Sequence, residues 1–376
     1  MVAAGEKRLK ARLRELVERE SPSDDKAAVD RAGDLVQGWA QAMGAKVKRH
    51  RQKLYGDVLE LRFGPAPSRT SRGDRRPGRV LLLGHLDTVW PLGTLRQMPW
   101  KELNGRLCGP GVLDMKAGVV MALEAIAALQ KLGAERPVTL LLVSEEEVGS
   151  PVSRAITESV ASKADAVLVL EPAQGLACKT ARKGVGAYTL RVEGVASHAG
   201  VDFELGHSAV REMARLVEKV SGFTDLSRGL TVNVGVISGG TRSNVVPAEC
   251  VAQVDVRIRR ARDAQRVQRS FAALKVTDKA CRLTVSGGIN RPPMERRPGT
   301  VRLFRLARRL AAELGLDLKE AATGGGSDGN FTAALGIATL DGMGAVGAGA
   351  HAPQEHVLAC HLVQRTALLA AVLAEI

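Results

Sequence analysis

The sequence predicts an α/β protein, a mixed and largely parallel sheet sandwiched by helices, with a smaller α+β domain inserted into it. Three observations lead there. Short continuous apolar runs occur at 80–83, 138–143 and 166–170, the length and character of strands buried on both faces, as in a parallel sheet between helices. Helix-length segments separate them. After Lys183 the pattern changes to β-α-β-β-α-β, a ferredoxin-like unit, over about 110 residues.

In chain order, residues 5–20 have helical spacing, with Leu9, Leu13 and Leu16 near one face. Ser21-Pro22-Ser23 breaks that helix, and Asp24 or Asp25 can cap a second one reaching Met43. A polar loop rich in Pro, Gly and Arg spans 65–78. The first apolar run then ends in Gly84-His85-Leu86-Asp87, the second in Ser144-Glu145-Glu146-Glu147 and the third in Glu171-Pro172. Helices are expected at 118–132 and 152–162. In the inserted unit the reading gives strands at 188–192, 230–236, 250–258 and 282–285, with helices at 207–220 and 262–274. The first domain resumes with a helix at 301–314, Gly324-Gly325-Gly326-Ser327-Asp328-Gly329, a strand at 337–340, a Gly-rich loop carrying His351 and a helix from Val357. The domains are therefore 1–183, 184–295 and 296–376, the first and last forming one parent domain into which the middle one is inserted.

The chain has 376 residues and 45% hydrophobic content, enough for a large core and unlike collagen, a coiled coil or a disordered chain. No apolar stretch approaches the ~20 residues of a membrane span, and the charged first 20 residues offer no apolar leader segment. Five cysteines without a CxxC pair fit a reducing cytoplasm rather than a disulfide framework. The net charge is +14, from 54 Lys and Arg against 40 Asp and Glu. Aromatics are only 3%, so base-stacking platforms are scarce. Apart from 72–79 and 257–262 the basic residues are scattered. The charge is read as a solvated surface that attracts a small anionic substrate, not as a nucleic-acid or membrane face.

Open α/β sheets place their sites outside the carboxyl ends of the strands, and three strand ends here deliver His or carboxylates. The candidate metal ligands are His85, Asp87, Asp114, Glu146, Glu147, Glu171 and His351. A mixed imidazole and carboxylate set suits Zn²⁺, Mn²⁺ or Co²⁺. Two dications ~3.5–4 Å apart need an anionic bridge. Asp114, in a turn-rich approach to a helix, is the candidate.

Gly84-His85-Leu86-Asp87-Thr88-Val89, 109–118, 144–150, Glu171-Pro172, Ser197-His198-Ala199-Gly200, Ser243-Asn244-Val245-Val246-Pro247 and Gly349-Ala350-His351 resemble the landmarks of the co-catalytic zinc metallopeptidases. That family includes glutamate carboxypeptidase, succinyl-diaminopimelate desuccinylase, acetylornithine deacetylase, aminoacylase and peptidase T-like aminotripeptidases. The resemblance runs from about residue 5 to the C-terminus and implies a zinc exopeptidase-like fold with an inserted lid and dimerisation domain. It implies two Zn²⁺ per subunit: His85 and Glu171 on one, Glu147 and His351 on the other, Asp114 bridging. Glu146 would be the general base, Asp87 would orient His85, and His198 would reach the partner subunit's site across a homodimer to stabilise the oxyanion. Two departures stand out. Glu145 occupies a position where the family often has Asp, giving three glutamates in a row. Ala-Pro-Gln-Glu follows His351 in place of Ser-Asp-x-Glu, with Glu355 keeping the acidic position.

The expected activity is hydrolysis of an amide to release a C-terminal amino acid. Gly-His-Leu-Asp-Thr-Val-Trp-Pro and Gly-Val-Asp-Phe-Glu-Leu-Gly look most like the glutamate carboxypeptidase branch, so glutamate is the expected product, from N-acyl or peptidyl substrates that include folate types. Asn244 and Arg257 match positions that face the substrate carboxylate in glutamate-releasing members. Arg257 could instead pair with Asp255. Gly325 and Gly326 would let backbone approach the ligand. The enzymatic alternative is an N-acyl amino acid deacylase. A non-catalytic binding protein on the same fold is the more distant one.

Overall fold

The computed structural model of the chain describes residues 5–65, 78–134 and 136–376. The polar loop expected at 65–78 and the basic run at 72–79 lie, but for their ends, outside the described residues. The chain divides into two compact units. One comprises the segment ending at Ala181 together with Arg296–Ala322 and Ser327–Ile376; the other comprises Arg182–Glu295 and Thr323–Gly326.

The first unit is organised by a six-stranded sheet in the order Lys46–His50, Val58–Phe63, Val138–Val143, Val80–His85, Ala166–Val169, Ala338–Leu340. The last four strands run parallel. The first two add antiparallel at one edge. The three apolar runs of the sequence are adjacent strands in this sheet.

Side chains alternate across a strand, so each run feeds two cores. Leu82, Leu140, Leu142 and Leu168 pack with residues of the helices Glu6–Val17, Lys26–Ala42, Ala117–Lys131, Pro298–Glu313 and Ala359–Glu375. Leu81, Leu83, Leu141, Val143, Val167 and Val169 pack on the other face with Val160 and Ala161 of the helix Arg154–Ala161. Burying each such side chain is worth roughly 1.5–3 kcal/mol. This double burial is why the runs carry no polar alternation. Among the described residues no helix is long and apolar enough to cross a membrane.

The sequence reading left out Lys46–His50 and Val58–Phe63. Their charged residues hide the strand pattern: Lys46-Val47-Lys48-Arg49-His50 is exposed or half-buried throughout. The last helix begins at Ala359, not Val357, because His356–Leu358 pairs with Arg106–Cys108.

The second unit is a fully antiparallel sheet in the order Thr231–Gly239, Glu249–Ile258, Gly184–Glu193, Arg282–Arg291. With the helices Ala209–Ser221 and Ala261–Ala272 its chain order is β-α-β-β-α-β, as the sequence predicts. Tyr188, Leu190 and Val192 alternate into one core with Met213, Leu216, Val220 and Phe271. There the Tyr188 and Phe271 rings stack with centroids 3.8 Å apart.

Near the sheet edge of the first unit, the helix Lys26–Ala42 starts at Asp25, whose side chain accepts from Ala28 N–H at 2.9 Å. The next residue, Lys26, donates to Asp57 at 2.7 Å. Asp57 is buried and also accepts from Gln52 N–H and Arg51, each at 2.9 Å. Burial favours the protonated acid, but Lys26, the Gln52 amide and Arg49 outweigh it and hold this carboxyl below its usual range. Asp57→Asn is expected to lower the unfolding free energy by about 1–3 kcal/mol at neutral pH, read by urea denaturation. A depressed native pKa gives stability that is present above the unfolded-state value and lost as pH falls through the native one. The gap between wild type and variant should therefore close on acidification below about pH 4.

Candidate metal centre

The carboxyl ends of three neighbouring strands converge on one rim. His85 closes its strand and lies in register with Val143; Glu146 and Glu147 follow three and four residues later, and Glu171 two residues past Val169. Asp114 comes from a tight turn at Val112–Lys116, immediately before the helix Ala117–Lys131. His351 lies in a turn where its own φ is +61°, a left-handed conformation that costs a side-chain-bearing residue on the order of 1 kcal/mol or more. Two glycines make room for the Glu171 segment. A Cβ at Gly118 would stand 2.2 Å from the Leu170 carbonyl oxygen, and one at Gly344 would stand 2.1 Å from the same atom.

At the centre is Asp114. Its Oδ1 lies 3.3 Å from His85 Nε2, and its Oδ2 lies 3.4 Å from His351 Nε2. Glu171 Oε1 is 3.8 Å from His85 Nε2, and Glu147 Oε2 is 3.2 Å from His351 Nε2. Donor atoms of His85, Glu146 and Glu171 gather within 4.8 Å of one another, as do those of His85, Asp114 and Glu147. All of these residues belong to the first unit.

Hydrogen bonding fixes what this arrangement can hold. His85 Nδ1 is 3.0 Å from the Asp87 carbonyl oxygen, which can only accept, so Nδ1 carries the proton. In the neutral ring the Nε2 lone pair then faces carboxylate oxygens. Electron pairs confront one another unless a cation lies between them. Glu147 Oε1 is buried and has no hydrogen-bond partner. A tetrahedral site with bonds of ~2.0–2.1 Å has ligand–ligand edges of about 3.3 Å, close to the spacings here. The donors therefore fit a first-row dication.

With protons alone the same demand appears as raised imidazole pKa values. Burial opposes the charged form of His85, but the bonds to Asp114 and Asp87 outweigh it and push the pKa well up. The bonds to Asp114 and Glu147 push His351 up to about 10. Burial would raise the Asp114 carboxyl, yet the two imidazoles hold it far below its normal range.

The three consecutive glutamates take three directions. Glu145 is buried and turns away, accepting from Ser144 Oγ at 2.9 Å, Val152 N–H at 3.2 Å and Ser153 N–H at 2.6 Å, just before the helix Arg154–Ala161. Glu146 and Glu147 sit in a 3₁₀ turn whose N–H groups donate to Asp87 Oδ1 at 3.2 Å and Oδ2 at 3.1 Å. Asp87 also accepts from Ser23 Oγ at 2.7 Å. It thus binds the Glu146–Glu147 turn as well as facing His85.

A family profile described as peptidase family M20/M25/M40 matches residues 81–375. The chain belongs to that family. This M20 peptidase is 27% identical over 370 residues to carboxypeptidase G2 of Pseudomonas sp. (strain RS-16), covering 96% of this chain and 86% of that one. Among solved structures, aminopeptidase PepT from Bacillus cereus ATCC 10987 matches with a TM-score of 0.82 at 20% identity and 98% of each chain covered. The M20 family metallo-carboxypeptidase Sso-CP2 from Sulfolobus solfataricus matches at TM-score 0.73 and 18% identity, with 96% of this chain and 97% of that one covered. These structures share the fold. The M20 chain is thus a hydrolase of a metal-dependent peptidase family, and its described residues include a cluster able to hold metal.

The remaining sequence candidates of this M20 peptidase lie in the second unit. His198 is exposed; Gly200 N–H donates to its Nδ1 at 3.1 Å, leaving the neutral ring's proton on Nε2. Asn244 is exposed and its carbonyl accepts from Ala199 N–H at 3.0 Å. Arg257 grips Asp255 with Nε and Nη2 at 2.9–3.1 Å and reaches the Gly324 carbonyl at 3.3 Å. Arg182, absent from the sequence reading, donates to the carbonyls of Gly325 at 3.3 Å and Gly326 at 3.0 Å. Ser23 and the inward turn of Glu145 were also missed. A capping carboxylate and a short Ser-Pro-Ser turn look the same in sequence whether or not they serve a site.

The divergent glutamates can be told apart experimentally. Glu145→Ala should cost about 1–3 kcal/mol of stability and leave bound metal per folded molecule unchanged. Glu147→Ala should lower bound metal with a smaller effect on the unfolding of the metal-free protein. Elemental analysis paired with denaturation of each variant reads both.

Proposed function

We propose that this chain is a two-zinc amidohydrolase of carboxypeptidase type that releases a C-terminal amino acid, glutamate, from N-acyl or peptidyl substrates, folate-type conjugates among them. The reading is carried by Asp114, whose two oxygens face two different imidazoles. In it His85, Asp114 and Glu171 would hold one Zn²⁺, and Asp114, Glu147 and His351 would hold the other; Co²⁺ or Mn²⁺ would suit the same donors. Bound there, such a pair of cations supplies Lewis acidity for a carbonyl oxygen and makes water acidic enough to lose a proton near neutral pH.

The protein's own groups do the rest. Glu146 takes a proton from the attacking water as the water oxygen bonds to the amide carbon. It returns that proton to the amide nitrogen as the C–N bond breaks, so an amine departs instead of an amide anion. Asp87, holding both His85 and the Glu146–Glu147 turn, keeps ligand and base in register. His198, with its Nε2 proton outward, is proposed to donate to the developing oxyanion of a second copy's site, in a homodimer formed through the second unit. Asn244, Arg257, Gly325 and Gly326 are proposed to receive the product's carboxylate, Arg257 being held in place by Asp255. The net charge of +14 favours an anionic substrate, and the cysteine usage favours a cytoplasmic setting.

Chelation should abolish hydrolysis and added Zn²⁺ should restore it. Glu146→Gln is expected to keep its metal while kcat falls by about 10²–10⁴-fold; full activity in that variant would remove Glu146 from the proton path. Assayed on a panel, the enzyme should turn over N-acyl-glutamates and pteroylglutamates in preference to N-acetylornithine and succinyl-diaminopimelate. The opposite order would make it a deacylase. Salt-sensitive DNA binding without metal-dependent hydrolysis would support a binding protein.

A further inference from the structure

Glu355 lies four residues past His351 and is completely buried. Its Oε1 accepts from Leu113 N–H at 2.9 Å and Asp114 N–H at 3.1 Å. Its Oε2 accepts from Gly111 N–H at 2.9 Å and Trp90 Nε1–H at 2.8 Å. Three of these four donors are backbone groups of the turn that carries Asp114.

That turn makes few backbone bonds of its own: Val112 N–H reaches the Gly109 carbonyl at 3.2 Å and Lys116 N–H the Gly111 carbonyl at 3.0 Å. Gly111 has φ +68°, Asp114 has φ −113° and ψ 94°, and Met115 has φ −132° and ψ 36°, so no regular helical ladder covers it. Buried N–H groups without acceptors would each cost on the order of 1–3 kcal/mol. One side chain supplies all three. The same residue closes the His351 turn: Glu355 N–H donates to the Ala352 carbonyl and Ala352 N–H to the Gly349 carbonyl, both at 2.9 Å.

We propose that Glu355 is a positioning residue that locks the Asp114 turn to the His351 turn, setting the separation at which one carboxylate serves both imidazoles. The inference rests on the two-metal reading above and adds the part that aligns its bridge. Glu355 touches neither imidazole in this role; it acts through the backbone of Gly111–Asp114.

Glu355→Gln nearly keeps the shape, but its amide NH₂ faces N–H donors where an oxygen accepted them. The expected result is a folded variant whose Zn²⁺ affinity, measured by competition with a chromophoric chelator, falls about 10- to 100-fold. Its kcat should drop by a similar factor, with KM changed less than about threefold. Trp90→Phe removes one donor and leaves the three turn bonds, so it should keep wild-type metal affinity. A folded Glu355→Gln with wild-type Zn²⁺ affinity and kcat overturns the inference, as does one that only melts earlier while binding Zn²⁺ normally. If that variant does not fold, amide hydrogen exchange in the wild-type, metal-free protein decides: slow exchange at Leu113 and Asp114 supports the lock, and solvent-rate exchange there overturns it. A wild-type protein that takes up no divalent metal would instead defeat the two-metal reading, and the exchange measurement would still judge Glu355.

Discussion

One carboxylate confronting two imidazoles is the constraint on which the rest of this structure depends. Asp114 turns one oxygen to His85 and the other to His351, and the Asp87 carbonyl accepts from His85 Nδ1–H, which leaves the neutral ring's lone pair on Nε2. Such a cluster is electrostatically frustrated until positive charge enters it. Much of the surrounding architecture can be understood as bracing against that frustration. The parallel strands aim three chain segments at one rim, Gly118 and Gly344 clear a path for the Glu171 segment, and buried Asp87 and Glu355 tie down the turns between.

The bracing is done mostly by hydrogen bonds to backbone. Asp87 accepts from the amides of Glu146 and Glu147, Glu145 from those of Val152 and Ser153, and Glu355 from those of Gly111, Leu113 and Asp114. A buried carboxylate that gathers several N–H groups fixes loop conformation more tightly than side-chain pairing does, since the groups it binds have no rotamers of their own. Precision at the rim is thereby separated from the two hydrophobic cores beneath it, which set only where the strands end.

How much of this could be read beforehand follows from which forces leave a periodic trace. The runs at 80–83, 138–143 and 166–170 are legible because a strand buried on both faces has no polar alternation. The inserted unit is legible because Tyr188, Leu190 and Val192 alternate into its core. His85, Glu146, Glu147 and Glu171 are legible because they follow those runs directly, whereas Asp114 and His351 stand in turn-rich and Gly-rich stretches. The edge strand Lys46–His50 escaped notice, since exposure lets charge occupy it; Val58–Phe63 lies inside the sheet and is buried but for Arg62, yet Glu60 and Arg62 interrupt its apolar run. The separate directions of Glu145, Glu146 and Glu147 are invisible to composition: three identical residues are sorted only by the 3₁₀ turn and the bonds it makes. Arg182's grip on Gly325 and Gly326 joins stretches of chain far apart in sequence, and no local pattern announces it.

The short Ser21-Pro22-Ser23 link between the first two helices has a wider reach than its place in the chain implies. Ser21 Oγ caps the Leu86 carbonyl, Thr88 N–H returns to the Ser21 carbonyl, and Ser23 Oγ rests on Asp87. The family signature begins only at residue 81. A shortened version of the protein cut at that border would keep every candidate ligand and still lose the clasp beneath Asp87. The segment before residue 81 thus braces the candidate metal rim from outside the span that the family profile matches.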